Sequence, residues 1–446
     1  MRYELTRFPL VKAVLKNRWP QLVVLTVMLA GFLFAIMAGL VGTPVGNQNF
    51  VIVFVWIAWW AILILVAVPF LGRGWCAVCP IPLPGEWLSR GAILAPHDGK
   101  KPWLNMRWPN RFRNIWSQNI TFLLVALFST VILTTPLVSG GVLAAMLMVA
   151  IGTSLVFERR AFCRYLCPVG GFIGLYAQTA PLELRVKNKD RCIQCVGKPC
   201  YNGSAAGYGC PWQVFPPGLT RNTYCGLCME CLRTCPHDNI ALNLRPFGAD
   251  LEKPSRRMDE AFKAFIMLGA AMIYALVLLG TNGTLKSAAY SVGSVTWFGY
   301  AVGFLVFILG ILPGFFWLAV RIGQLLSGSI DPIRSAFTAF ATTLVPLGLM
   351  SWIAFSLSFV LTNASYILSS VSDPFGWGWN LFGTAGITWQ PLLSTLVIPM
   401  QVLALAGGLL WSVRTAQKVS AETQITPLPV VIYAMMATLM MLGLLL

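Results

Sequence analysis

Four cysteines near the middle of the chain have the spacing of iron–sulfur ligands. Cys225, Cys228, Cys231 and Cys235, with Pro236 next, form the pattern C-x2-C-x2-C-x3-C-P. In two-cluster iron–sulfur proteins, the first three cysteines of such a run bind one 4Fe–4S cluster and the fourth binds the other. Structural zinc also uses Cys-x2-Cys pairs, but a zinc ion needs only four ligands and no terminal Cys-Pro. The run therefore favours an iron–sulfur cluster over structural zinc.

A second set of cysteines lies directly upstream, and its last member also precedes a proline. Because the two clusters of a pair exchange one ligand each, the pattern predicts two ligand sets. The upstream spacings are longer than those of the compact run, and glycines in this loop allow it to bend a thiolate inward. Group 1, for the first cluster, consists of Cys192, Cys195, Cys200 and Cys235. Group 2, for the second cluster, consists of Cys210, Cys225, Cys228 and Cys231.

The remaining four cysteines occur in two matched pairs, and each pair ends in Cys-Pro. Their surroundings repeat, because residues 70–88 align with residues 157–175. In this alignment Arg73 and Arg160 occupy equivalent positions, so each could offset the charge of nearby thiolates. Two related repeats can bring four thiolates to one pseudo-symmetric site. We call this set the elbow group: Cys76, Cys79, Cys163 and Cys167.

Several kinds of chemistry suit the elbow group. Four thiolates could hold a third iron–sulfur cluster or another metal such as copper, or they could act as redox-active thiols. The alternative without chemistry is that these cysteines are small buried side chains at helix ends, where proline stops the helix. The matched Cys-Pro pairs favour a functional site, and the residue pattern leaves its nature open.

The elements that carry these cysteines are predicted to be membrane helices. Of the 446 residues, 57% are hydrophobic and only 11% are charged, and the mean hydropathy is +0.72. These values indicate an all-α polytopic membrane protein rather than a series of soluble domains. Runs long enough to cross a hydrocarbon core of about 30 Å predict about nine transmembrane helices. They lie near residues 20–42, 50–71, 118–138, 141–158, 261–281, 296–320, 336–362, 389–413 and 426–446.

Charge predicts the orientation of these helices. The N-terminal segment 1–19 is basic, so the positive-inside rule keeps it in the cytoplasm. Nine spans then leave only Lys286 and Asp373 on the outside. The formal net charge of +17 is thus a topology signal that also suits anionic lipid, and it does not require nucleic acid as a partner. We expect a bacterial or archaeal cytoplasmic membrane, cytoplasmic clusters and an outside C-terminus.

The same patterns predict the domain organisation. Two spans precede each elbow, so residues 20–180 form a four-helix membrane repeat. Residues 181–250 are polar and rich in Gly and Pro, as expected for an inserted cytoplasmic α+β domain of the two-cluster ferredoxin type. Metal-site binding energy would supply much of the folding energy of so small a domain. Residues 261–446 form a C-terminal membrane domain of about five helices.

Histidine usage argues against haem. The chain has only His97 and His237, and neither lies in a predicted span, so we expect no transmembrane haem. There is also no phosphate-binding loop, no dinucleotide fingerprint and no pairing of nucleophile with base, so we predict no catalytic residue.

The chain resembles the bacterial membrane-bound polyferredoxins. These include the membrane quinol-dehydrogenase subunit of nitrate reductase systems, the membrane regulator of nitrous oxide reductase and an oxidase-assembly ferredoxin that reduces copper. The resemblance covers about residues 20–245 and rests on CAVCP at 76–80, CRYLCP at 163–168 and CGLCMECLRTCP at 225–236. Family elbows typically read Cys-x3-Cys-Pro, and the first copy here is one residue shorter.

The resemblance implies electron transfer between the quinone pool and a partner redox protein, through two 4Fe–4S clusters and the elbow site. The chain would then be an electron-transfer subunit of an oxidoreductase complex, with membrane lipid and partner redox subunits around it. Two alternatives stay open. The chain could be a maturation or regulatory ferredoxin that reduces copper or thiols, or it could be a scaffold subunit of a larger respiratory complex.

Overall fold

The computed structural model describes residues 2–94, 103–280 and 283–446, so His97 lies outside the described residues. Long apolar helices dominate this part of the chain. Within it, eight helices are long and apolar enough to cross a membrane, so the chain is a multi-pass membrane protein. They are Trp19–Val41, Val51–Arg90, Pro136–Val156, Met258–Leu279, Val295–Ser327, Ile333–Asn363, Ser394–Thr423 and Leu428–Leu445.

The span predicted at 118–138 differs from the others. Its residues form Trp116–Leu127, a helix of 12 residues, and then the short helix Ser129–Ile132. Pro136 then begins the next long helix, at a position where proline costs no hydrogen bond. A 12-residue helix rises about 18 Å, well short of the hydrocarbon core. The predicted count of nine transmembrane helices is therefore not confirmed.

The chain forms two compact units, each built from three stretches of sequence. Unit 1 comprises Met1–Phe34, Val66–Gln118 and Leu143–Asp250, and it contains all twelve cysteines. Unit 2 comprises Ala35–Leu65, Asn119–Val142 and Leu251–Leu446. The domain boundaries expected from sequence patterns stay predictions.

A small antiparallel sheet organises the polar part of unit 1. Strand β1 (Tyr3–Glu4) and strand β2 (Leu182–Val186) both pair with the central strand β3 (Ile240–Leu244). Apolar side chains of β2 and β3 form a core with two of the cysteines, Cys200 and Cys231. Because β1 pairs with β3, the N-terminal segment packs directly on the cysteine-rich segment.

Short helices connect and flank the cysteines of unit 1. Proline and glycine are frequent among these residues, which keeps the elements short. The 3-10 helix Gly72–Ala77 and the π-helical turn Phe162–Leu166 lie at the two elbows. The α-helix Leu83–Arg90 forms the end of the span Val51–Arg90. The α-helices of unit 1 outside the long apolar helices are Pro9–Lys16, Pro168–Tyr176, Lys189–Ile193, Pro199–Asn202 and Glu230–Thr234.

Aromatic packing dominates the interior of unit 2. Phe265, Phe316, Phe340 and Phe355 are fully buried, and so is Trp352, whose indole N–H donates to the carbonyl of Met267 at 2.9 Å. The α-helices here, with the first continued by the π-helical turn Ala275–Leu279, are Met258–Tyr274, Gly283–Tyr290, Val295–Val306, Leu312–Ser327, Ile333–Ala341, Leu344–Asn363, Tyr366–Ser372, Ser394–Thr423 and Leu428–Leu445.

Candidate iron–sulfur sites

The fold brings the four cysteines of the elbow group together. Cys79 has Cys76 and Cys167 among its electrostatic neighbours, and Cys163 has all three others. Three of the four side chains are buried, and Cys79 is partly buried. Two stretches far apart in sequence therefore converge on one group of thiols, as their repeat predicts.

The second elbow shows how a Cys-Pro pair presents a thiol. Cys167 is the N-cap of the helix Pro168–Tyr176, and Pro168 occupies the first helical position. The backbone N–H of Gly170 donates to Cys167 Sγ at 3.2 Å. A thiolate at a helix N-terminus is stabilised by such an N–H group and by the helix dipole. The Cys-Pro pair thus begins a helix and places the cysteine sulfur where the helix N-terminus stabilises a thiolate.

The thiols of group 1 also lie together. Cys200 has Cys235, Cys192 and Cys195 as electrostatic neighbours. Asn239 contacts two of these sulfur atoms, because its backbone N–H donates to Cys235 Sγ at 3.3 Å and its side-chain amide to Cys192 Sγ at 3.1 Å. Donors of this kind favour a thiolate or metal-bound sulfur over a neutral thiol. Nothing in the cysteine spacing pointed to Asn239.

The thiols of group 2 form a third cluster of neighbours. Cys231 has Cys225, Cys228 and Cys210 around it, and the backbone N–H of Val214 donates to Cys210 Sγ at 3.4 Å. The loop between these cysteines is tightly wound, since Leu227 and Met229 have φ angles of 48° and 62°. Non-glycine residues rarely adopt this left-handed conformation, and where they do, the strain often serves a site. Here it curls the loop so that its three cysteines face one region.

Burial makes these sites unfavourable for free thiolates. It raises the pKa of the Cys225 and Cys200 thiols to about 11 and raises the pKa of Cys231 well above its usual value. Neighbouring thiols add to the shift for Cys200 and Cys231. Without a positive partner the thiols keep their protons at neutral pH. A bound iron site would supply positive charge and replace these protons.

The number and type of the grouped side chains match the ligands of multi-iron clusters. In the part of the chain that the structure describes, no three His, Cys, Asp or Glu side chains are arranged to hold one metal ion. A tetrahedral zinc or single copper site needs its ligands around one ion at about 2.3 Å for sulfur, whereas a cubane cluster takes one thiolate at each corner and so spreads its ligands. Each set of four neighbouring thiols provides the number and type of ligands that a 4Fe–4S cluster uses.

The charges around the elbow group favour an anionic ligand. Arg160 is buried and forms an ion pair with Glu86, donating from Nη2 to Oε2 at 3.2 Å. The equivalent residue Arg73 is also buried, but within the described ranges no carboxylate pairs with it. A buried cation without a counter-charge is costly. An anionic cluster held by the four thiolates would neutralise Arg73.

The three groups follow one another in a row. Arg73 has Cys225 and Cys167 among its neighbours, and Arg160 has Cys228 and Cys163. Both arginines are therefore close to thiols of the elbow group and of group 2. Cys231 of group 2 also neighbours Cys200 of group 1. Group 2 is the middle member of the row.

Sequence comparisons bear on the elbow group directly. A protein-family model described as "4Fe-4S binding domain" matches residues 52–111 and 139–189. Each of these stretches contains one elbow.

Two curated proteins are also similar to part of the chain. "Putative electron transport protein YccM" of Escherichia coli (strain K12) is 34% identical over 127 residues, which is 28% of this chain and 30% of that protein. "Uncharacterized protein MJ0750" of Methanocaldococcus jannaschii is 26% identical over 104 residues, which is 23% of this chain and 40% of that protein. The chain thus matches less than half the length of these relatives. No solved structure matches it. The two matched stretches are thus similar to a 4Fe–4S binding domain, which supports iron–sulfur clusters as the cofactors of this chain.

Proposed function

We propose that this chain is a membrane-bound iron–sulfur subunit that passes electrons between the quinone pool and a partner redox protein. The observation that carries the proposal is the row of three thiol groups, from the elbow group through group 2 to group 1. Each elbow comes a few residues after an apolar stretch, the first after Ile62–Leu71 and the second after Pro136–Val156, so one end of the row lies close to membrane segments. Similarity to a protein named for electron transport supports the same role.

The residues around the thiols would hold and insulate the redox groups. Bound 4Fe–4S clusters would supply one-electron chemistry. The N–H groups of Gly170, Val214 and Asn239 donate to ligand sulfur atoms and so fix their orientation. Burial of most of the cysteines excludes water, and it strengthens these contacts. None of these roles requires a catalytic residue in this chain.

We further propose that the elbow group holds a third 4Fe–4S cluster. The family match includes both elbows, and the unpaired charge of Arg73 calls for an anion. The competing proposal of a single copper ion, as in a copper-reducing maturation protein, has less support because the family match is to a 4Fe–4S binding domain. The scaffold alternative gives no reason for a third group of thiols at the elbows.

We also propose that the N-terminal segment and groups 1 and 2 lie on the cytoplasmic side of the membrane. Basic residues of the N-terminal segment favour the cytoplasmic side of a bacterial or archaeal membrane. The pairing of β1 with β3 supports the same side for groups 1 and 2, because one small sheet cannot be divided by a bilayer. Anionic lipid would contact this basic face.

Metal analysis and spectroscopy test the cofactors. The anaerobically purified chain should contain about twelve iron atoms if three cubane clusters are present, and about eight if only groups 1 and 2 are loaded. Cys228→Ser should remove the electron paramagnetic resonance signal of group 2. The double variant Cys163→Ser, Cys167→Ser should remove the elbow signal alone. Zinc in place of iron, or copper lost in the double variant with iron unchanged, would contradict the proposal.

A quinol assay tests the electron donor or acceptor. A soluble quinol analogue mixed with the oxidised, detergent-solubilised chain should reduce its clusters, or reduced clusters should reduce the quinone. The elbow double variant should lose this reaction while groups 1 and 2 can still be reduced by dithionite. If the intact chain reacts with neither form, the scaffold alternative gains support.

A further inference from the structure

Among the buried N–H donors of the described part of unit 1 that have no hydrogen-bond partner, two lie next to each other. They are Nε of Arg73 and Nε1 of Trp212, whose residues are 4% and 2% exposed. Unpaired buried donors are rare and costly, and each calls for an acceptor that is bound in the working protein. The two side chains are also stacked, with Arg73 Cζ 4.7 Å from the centre of the Trp212 ring. The two unpaired donors therefore lie on side chains that pack against each other.

Trp212 lies against the ligand loop of group 2. It follows Cys210 and Pro211 in sequence, and a Cβ atom added to Gly226 would be only 2.1 Å from Trp212 Nε1. Gly226 stands between the ligands Cys225 and Cys228. The indole N–H is thus within contact distance of the loop that would hold the second cluster, and a glycine is needed to let it approach.

Arg73 connects the same place to the elbow group. Its Nη2 donates to the carbonyl of Gly170 at 2.6 Å, at the start of the helix capped by Cys167. The guanidinium also packs so closely on Gly174 that a Cβ there would lie 2.3 Å from Nη2. Cys76 and Cys225, one from each thiol group, are among its electrostatic neighbours. One end of Arg73 is therefore fixed by the elbow helix, while its Nε has no protein acceptor.

The repeat-related Arg160 provides an internal comparison. It occupies the equivalent place in the second elbow, but Glu86 neutralises it and its Nη1 donates to the carbonyl of Cys76 at 3.1 Å. The two repeats thus differ in one respect that matters for anions. Arg160 carries its own counter-charge, and Arg73 keeps both its charge and a free donor.

We propose that Arg73 and Trp212 are positioning residues that donate N–H groups to the sulfur atoms of the iron–sulfur sites, Trp212 at group 2 and Arg73 between group 2 and the elbow group. This inference rests on the proposed function. A reduced cluster carries one more negative charge than an oxidised one, so a nearby cation and N–H donors stabilise the reduced form and raise its reduction potential. Arg73 and Trp212 would keep the two potentials close enough for electrons to pass between the sites.

Potentiometric titration of the iron-loaded chain, followed by electron paramagnetic resonance, tests the pair. Trp212→Phe keeps an aromatic ring but loses the N–H, so the potential of group 2 should fall while the elbow potential stays unchanged. We expect about a tenfold lower reduced-to-oxidised ratio at a fixed ambient potential, equivalent to about 59 mV for one electron. Arg73→Gln should lower both potentials, and Arg73→Lys, which keeps the charge, should lower them less.

The control is Trp352→Phe, which removes a buried indole N–H that already has a backbone acceptor in unit 2. It should shift neither potential. Equal potentials in Trp212→Phe and the unmodified chain, with equal iron content, would overturn the proposal, and so would equal shifts in all variants including the control. A chain without elbow iron would instead contradict the proposed third cluster, and the group 2 titration would still decide the role of Trp212.

Discussion

Unit 1 and unit 2 bury different kinds of side chain. Unit 1 contains all twelve cysteines, and it also buries complete ion pairs such as Arg160 with Glu86 and Arg245 with Glu183. Unit 2 contains no cysteine, and aromatic side chains fill much of its interior. Ion pairs such as Arg256 with Glu422 lie at its surface.

The difference indicates where each unit obtains its stability. Packed aromatic rings stabilise unit 2 through apolar burial and need no further component. Unit 1 instead places thiols, arginines and N–H donors in positions that are unfavourable until an anionic metal group binds them. A unit built in this way should depend on its cofactors, whereas unit 2 should not.

Removing iron should therefore have the largest effect, and only in unit 1. Because metal-binding energy contributes to folding, the segment 181–250 should lose its structure when iron is extracted anaerobically with a chelator. Limited proteolysis followed by mass spectrometry should show new cleavage at the many basic residues of this segment. Cleavage within 251–446 should stay as it was. Equal protection of 181–250 with and without iron would show that its small core suffices alone.

Breaking a buried ion pair of unit 1 should cost much more than breaking a surface pair of unit 2. Glu86→Gln leaves the guanidinium of Arg160 buried without its counter-charge, which typically costs about 3–5 kcal/mol. Glu422→Gln breaks a pair whose side chains are 48% and 46% exposed, and such pairs contribute about 1 kcal/mol or less. Denaturant unfolding in detergent should separate the two variants. Similar losses would mean that Glu86 is solvated in the working protein.

A smaller but more local effect is expected from a methyl group at Gly226. In Gly226→Ala the new Cβ would overlap the indole of Trp212, and overpacking of this kind typically costs about 1–3 kcal/mol. Iron bound by group 2 should fall while group 1 and the elbow group keep theirs. The matched control is Gly218→Ala in the same segment, since a Cβ there would meet nothing within 4 Å. If both variants bind iron normally, the loop is free to move away from Trp212.

The sequence was sufficient to predict features that depend on local pattern. Long apolar runs located the eight long helices because hydrophobic length alone decides whether a helix can cross a bilayer. The exception at 118–138 is also an apolar run, so hydropathy does not reveal the break after Leu127. Pro136 is the sequence feature that indicates a helix boundary here, because proline is favoured at the first position of a helix. The groups of cysteines followed from their spacing and from the elbow repeat.

Features that depend on contacts between distant residues could not be predicted in this way. Glu86 pairs with an arginine of the other elbow, and Asn239 contacts the sulfur of Cys192, and neither pairing has a sequence signature. The charge pattern of the basic N-terminal segment predicts its side of the membrane and its contact with anionic lipid. In the fold, Lys12 and Arg18 also pair with acids of the cysteine-rich segment. Basic residues that favour one membrane orientation therefore also form ion pairs that stabilise unit 1.

The smallest effect is expected from the ion pair between Lys12 and Asp238, because it lies at the surface of unit 1. The helix Pro9–Lys16 is held through Lys12 and Lys16, both of which pair with Asp238. The hydrogen bond from Lys12 holds the pKa of Asp238 below its usual value. The stabilisation is therefore present above the ordinary carboxyl pKa and is lost as the pH falls through the lowered one. The protection of residues 9–16 against hydrogen exchange, corrected for the intrinsic exchange rate at each pH, should fall only below about pH 4.

The size of this effect should be small, because Asp238 is 43% exposed and such pairs contribute about 1 kcal/mol or less. Asp238→Asn should speed the exchange of residues 9–16 a few-fold at neutral pH and remove its acid dependence. Asp190→Asn, at an exposed carboxylate elsewhere in unit 1, should change neither. If the acid dependence persists in Asp238→Asn, the helix is held by the sheet contact of β1 and its neighbours rather than by charge. Unit 1 would then resemble unit 2 at its surface and differ from it only around the thiols.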